Sequence, residues 1–124
     1  MAKLLIVDDE VSIREVFRLR FEKAGHEVSE ARDGEEALTI AQESLPDLIL
    51  LDIMMPKVDG LEVCFKLKNN PRTKLIPIVM MTAYDRDIEK LHRGRETAPA
   101  EAYFSKSWAT DELVKMVDTL LRSE

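Results

Sequence analysis

One cysteine, Cys64, stands among 124 residues. A disulfide framework and a cysteine-based zinc site are therefore excluded within one chain. No apolar run approaches the ~20 residues of a membrane span. The N-terminus enters a buried-looking strand within a few residues and lacks the shape of a signal peptide. Neither a P-loop nor a GxGxxG pattern is present, so nucleotide binding finds no support. Basic charge is not in excess: Lys plus Arg is 18 and Asp plus Glu is 24, a net charge of −6. That balance argues against nucleic acid as a direct ligand, because DNA binding needs a net basic face. There is no repeat, linker or low-complexity stretch.

What is present is a chain with 45% hydrophobic and 34% charged residues, the composition of a globular domain. Residues 1–124 read as one domain, since this length suits a single core. Together these features point to a soluble, acidic protein of a reducing compartment, the cytoplasm.

Short apolar runs alternate with amphipathic segments. Leu4–Val7 ends on Asp8-Asp9, Leu48–Leu51 ends on Asp52, and Ile76–Met81 ends on Thr82. Apolar runs without period-two alternation suit strands covered on both faces. His26–Ala31 reads as a weaker strand and Ala102–Ser105 as a short fifth one. Between them Ile13, Val16, Phe17, Phe21 and Ala24 follow helical spacing, with Gly25 at the stop. Asp33 with Glu36 three residues on marks a capped start leading to Ala37, Leu38, Ile40 and Ala41. Leu61, Cys64 and Leu67 give a third helix, and Thr110 opens a final one carrying Leu113, Val117, Leu120 and Leu121. The span 85–100 is the weakest helix, with Gly94 inside it and Pro99 barring its continuation. Repeated βα units imply a doubly wound parallel sheet with helices on both faces.

In such a sheet ligands bind at the carboxyl ends of the strands. Asp8 and Asp9, Asp52, Thr82 and Lys106 follow the first, third, fourth and fifth strands. If those strands are neighbours, the five side chains meet at one edge. Three carboxylates repel one another unless a cation sits among them, and one lysine cannot neutralise three. A hard divalent ion such as Mg²⁺ can. Each residue alone has a plainer role: an Asp-Asp pair or an Asp after a strand as a turn or cap, Thr82 as a turn residue, Lys106 as a solvated cation. Their joint placement is what points to a site.

Leu5-Ile6-Val7-Asp8-Asp9-Glu10, Asp52-Ile53-Met54-Met55-Pro56 running to Asp59-Gly60, Met81-Thr82-Ala83, Tyr103 and Lys106 occur in order along the whole chain. In this pattern the sequence resembles the receiver domain of two-component response regulators. The resemblance implies a flavodoxin-like, five-stranded parallel sheet of order 2-1-3-4-5 with five flanking helices. It implies that Asp52 accepts a phosphoryl group from a phosphohistidine on a sensor histidine kinase or phosphotransfer protein. Asp9 would bind Mg²⁺ directly, Asp8 mainly through water, and Asp52 and the backbone carbonyl of Met54 would complete the protein ligands. Lys106 and Thr82 would hold phosphoryl oxygens, and Tyr103 would turn inward as Thr82 moves. The face of the fourth helix, fifth strand and fifth helix would then change its downstream partner, as a monomer or a phosphorylation-dependent dimer. Such a protein is a switch acting only on its own aspartyl phosphate. Met54 and Tyr84, flanking the expected path of the hydrolytic water, should prolong the phosphoryl group's lifetime.

Two departures from the family pattern stand out. Ser107 follows Lys106 where relatives have a cis-bonded proline. A cis bond costs about 2.5–4 kcal/mol without proline, so the loop is expected to relax to trans. Pro99 replaces a common glycine and cannot supply positive φ. Gly60 is expected to serve a tight turn through positive φ, and Trp108 to pack between the last helix and the site's rim. Arg86, Lys90, Arg93 and Arg95 form a solvated basic face or a docking patch for an acidic partner. A phosphorylation-independent docking domain is the competing expectation, kept open by Ser107. An Asp-nucleophile phosphatase fits poorly, because it pairs the nucleophile with a second acid two residues on, where Met54 stands.

Overall fold

A computed structural model describes residues 2–53, 55, 59–82, 100–106 and 108–122. Five strands, β1 (Lys3–Val7), β2 (Glu27–Ala31), β3 (Leu48–Asp52), β4 (Ile78–Thr82) and β5 (Ala102–Ser105), form one sheet of order β2-β1-β3-β4-β5. Every neighbouring pair is parallel. The described helices are α1 (Val11–Lys23), α2 (Gly34–Ser44), α3 (Gly60–Lys68) and α4 (Thr110–Arg122), the last being the final helix expected from the sequence. Residues 85–99 of the weak helix expected over 85–100, with its basic cluster and Pro99, lie outside the described residues, as do Tyr84, Pro56, Met54 and Ser107.

The central strands are apolar throughout because each serves two cores. Leu5, Val7, Ile49, Leu51, Ile78 and Met80 bury against Ala37, Ala41, Val63 and Leu67 of α2 and α3. Their alternates Leu4, Ile6, Leu48, Leu50, Val79 and Met81 bury against Phe17 and Phe21 of α1 and Leu113 and Val117 of α4. β2 lies at an edge, and its exposed Glu27 and Ser29 show the polar alternation an edge permits.

Local signals explain the element ends. Asp33 caps α2, accepting from the Glu36 N–H at 2.9 Å. Gly25 takes φ +96° just beyond α1, where a left-handed residue ends a helix cheaply. Leu45 adopts φ 46° after α2, directly before Pro46. Along α1 the inward line is Ile13, Phe17 and Phe21; Val16, expected among the core residues, is 53% exposed.

Candidate functional site

The sheet order changes direction at β1, which has β2 on one side and β3 on the other. The carboxyl ends of β1 and β3 therefore flank the crevice such sheets use for ligands. Asp8 follows β1 and is fully buried. Three of its four polar atoms are hydrogen-bonded and the fourth, Oδ2, is ion-paired. Its N–H donates to the Ala31 carbonyl at 3.1 Å, and its own carbonyl accepts from Arg14 Nη1 at 2.6 Å. Its Oδ1 accepts from the Glu10 N–H at 2.9 Å. Its Oδ2 lies 2.7 Å from Lys106 Nζ. The same ammonium is 3.3 Å from Asp52 Oδ2.

Three backbone bonds hold this edge together beyond the strands. The Ile53 N–H donates to the Met81 carbonyl at 3.0 Å, the Gly60 N–H to the Ile53 carbonyl at 2.9 Å, and the Lys106 N–H to the Thr82 carbonyl at 2.7 Å. Asp52 and Thr82 are thereby buried at the ends of β3 and β4, with Lys106 just past β5. Ser105, buried opposite Thr82, adds a hydroxyl to the same edge.

Burial alone would lower the pKa of Lys106. The hydrogen bond to Asp8 and the charges of Asp52 and Asp8 outweigh it, and the ammonium is held above the ordinary value of 10.5. One positive charge is shared between two buried carboxylates, while Asp9 and Glu10 stand exposed beside them. Asp8, Asp9 and Glu10 each offer an oxygen within 4.8 Å of the others. This set is hard, anionic and richer in charge than one lysine can offset, which fits a divalent cation such as Mg²⁺.

The structure thus brings Asp8, Asp52, Thr82 and Lys106 to one edge, with Asp9 beside them. Tyr103 is buried in the core on the α2–α3 side. Trp108 packs edge-on against Phe104 at 5.5 Å and stays 40% exposed. The expected reason for Gly60 is corrected. Among the described glycines only Gly25 has positive φ. Gly60 begins α3 so close to β3 that a Cβ would meet the Asp52 carbonyl oxygen and lie 2.7 Å from Ile53 Cα.

Sequence reasoning did not single out Glu10, Arg14 or Glu30. Glu10 sits in the quoted motif, but its contribution is partly a backbone N–H. Arg14 and Glu30 meet only because β2 pairs with β1 beneath α1.

Comparison with known proteins agrees with this geometry. A family model described as the response regulator receiver domain matches residues 4–118. The Bacillus subtilis alkaline phosphatase synthesis transcriptional regulatory protein PhoP is 42% identical over 120 residues, 97% of this chain and 48% of that protein. The chain thus spans about half the length of the curated relatives it matches. A putative response regulator from Chloroflexus aurantiacus superposes with TM-score 0.90 at 39% identity, covering 98% of both chains. The response regulator TrrA from Thermotoga maritima, solved in complex with Mg²⁺-BeF, gives TM-score 0.85 at 36% identity, covering 97% of this chain and 99% of that one. The chain belongs to the response regulator receiver domain family.

Proposed function

We propose that Asp52 is the phosphoacceptor of this two-component receiver. The observation that carries this is the Lys106 ammonium lying between Asp52 and Asp8 at the strand ends. A carboxylate oxygen of Asp52 attacks the phosphorus of a phosphohistidine on a sensor kinase or phosphotransfer protein. The P–O bond forms as the P–N bond breaks, and the imidazole nitrogen keeps the electron pair. Phosphoryl transfer asks little covalent chemistry of the protein beyond an in-line nucleophile; it needs charge neutralised on the phosphoryl oxygens.

Lys106 neutralises one such oxygen, and the Thr82 hydroxyl donates to another. Asp9, exposed, and Asp52 would hold Mg²⁺ directly, with the Met54 carbonyl. Asp8 would act mainly through water, a division supported by the prior engagement of both its carboxylate oxygens. When bound, Mg²⁺ supplies the remaining neutralisation of charge on the phosphoryl group. TrrA, a relative solved in complex with Mg²⁺-BeF, supports a Mg²⁺ site in this domain.

Phosphorylation then acts through Thr82 and Tyr103 on the edge of the sheet formed by β5, beside which α4 packs, and this edge engages a downstream protein. PhoP is a transcriptional regulatory protein; control of such an output is the role proposed for this domain, in the cytoplasm. No helix among the described residues is long and apolar enough to cross a membrane. The test is intact-protein mass spectrometry after incubation with acetyl phosphate, with and without Mg²⁺. A single Mg²⁺-dependent phosphoryl addition, absent in Asp52→Asn, is expected. No addition to folded wild-type protein would overturn the proposal.

A further inference from the structure

Asp9 is the exposed acid of the pair, and among the described residues no hydrogen bond or ion pair holds its side chain. Its direction is set by its backbone. The Asp8 carbonyl and the Asp9 N–H belong to one planar peptide group, so whatever fixes the Asp8 oxygen fixes the plane from which Asp9 projects. That oxygen accepts a charged hydrogen bond of 2.6 Å from Arg14 Nη1. The Arg14 guanidinium is itself held by its Nε on Glu30 Oε1 at 3.2 Å. Glu30 is anchored in β2, and its other oxygen accepts from Arg18 Nη1 at 2.9 Å. The chain from a strand to the acidic turn is continuous: β2, Glu30, Arg14, the Asp8–Asp9 peptide.

We infer that Arg14 is a positioning residue for the cation site, with Glu30 as its support. The inference rests on the assignment of Asp9 as a Mg²⁺ ligand. Arg14 makes no bond to a carboxylate of the acidic turn; it holds the backbone that aims them. A guanidinium this near a cation site would by charge alone weaken cation binding. Glu30 offsets that charge, which is why the arrangement can be rigid without being repulsive. Outer partners that orient metal ligands are typically worth roughly ten- to a hundredfold in metal affinity.

For Arg14→Ala charge and positioning predict opposite signs, so Mg²⁺ titration by calorimetry separates them. Positioning predicts that Arg14→Ala weakens Mg²⁺ binding roughly tenfold or more. Arg14→Lys, which keeps the charge and loses the two-armed geometry, should also bind more weakly than wild type. Glu30→Gln should weaken binding as well, by freeing Arg14 and leaving its charge uncompensated. Unchanged or tighter Mg²⁺ binding in Arg14→Ala would overturn the inference; if that variant does not fold, unchanged binding in both Arg14→Lys and Glu30→Gln would do so. Asp9→Asn run alongside separates the two levels. If Asp9→Asn binds Mg²⁺ as wild type does, the ligand assignment itself fails. If Asp9→Asn is weakened and Arg14→Ala is not, positioning alone fails.

Discussion

Lys106 Nζ lies 2.7 Å from Asp8 Oδ2 although β3 and β4 separate their two strands. The lysine spans that gap over the end of β3, where Asp52 Oδ2 lies 3.3 Å away. It is the cation that permits two carboxylates to be buried together. The site is thus under opposing demands before any ligand arrives, and its stability reports directly on its charges.

Replacing Lys106 should be costly in the absence of metal. Lys106→Met leaves Asp8 and Asp52 buried without their shared cation, and breaking a buried pair this way costs about 3 kcal/mol or more. Urea denaturation in a chelator should show the loss near neutral pH. The pH dependence has a definite sign. The folded pKa of Lys106 is raised above 10.5, so its contribution is fully present below the unfolded value and is lost as pH rises through the folded one. As the pH is raised, the gap between wild type and Lys106→Met should stay level through neutrality and narrow under strongly alkaline conditions. A gap that narrowed between pH 7 and pH 9 would contradict the bridge.

Mg²⁺ should stabilise the fold, because it binds the native arrangement of carboxylates and not the unfolded chain. At a hundredfold excess over Kd the gain is about 2.7 kcal/mol, readable as a rise in Tm. Asp9→Asn should lose most of that rise. A Tm indifferent to Mg²⁺ in the wild type would count against the site.

Gly60→Ala tests the close approach of α3 to β3. The added methyl would press on the Asp52 carbonyl and Ile53 Cα, and relieving such overlap costs about 1–3 kcal/mol. Since the displaced backbone carries Asp52, phosphorylation should slow as well. A variant with wild-type stability and rate would show that the gap is wider than this geometry indicates.

Cys64 should be inert while the protein is folded. It is buried in α3, and burial pushes its thiol up to about 11, against a lowering by Lys68 and a smaller raising by Glu101. Thiol-specific reagents at pH 8 should label it only after denaturant is added. Rapid labelling of native protein would mean that α3 opens readily.

Much of this architecture is legible in the residues because burial on both faces leaves a plain mark. Leu48–Leu51 and Ile78–Met81 have no polar position to spare, and each ends on a polar residue that becomes part of the site. The Asp33–Glu36 cap and Gly25 are local signals and fall where local rules put them. Three features were not legible, for distinct reasons. Val16 shares the helical spacing of the core residues but sits a hundred-degree step from Phe17, which turns it to solvent. Gly60 looks like a turn glycine, yet its constraint comes from β3, distant in sequence. The Arg14–Glu30 contact depends on β2 lying beside β1, a tertiary fact that no spacing along the chain encodes.

The central claim is that Asp52, and no other carboxylate of the cluster, becomes the acyl phosphate. The most direct measurement is to phosphorylate the protein with acetyl phosphate and Mg²⁺, reduce it with borohydride, and sequence the peptides by mass spectrometry. Reduction converts an aspartyl phosphate to homoserine and leaves free carboxylates untouched. The account predicts homoserine at position 52 alone, lost when Mg²⁺ is omitted. Homoserine at position 8 or 9, or none in folded protein, would contradict it.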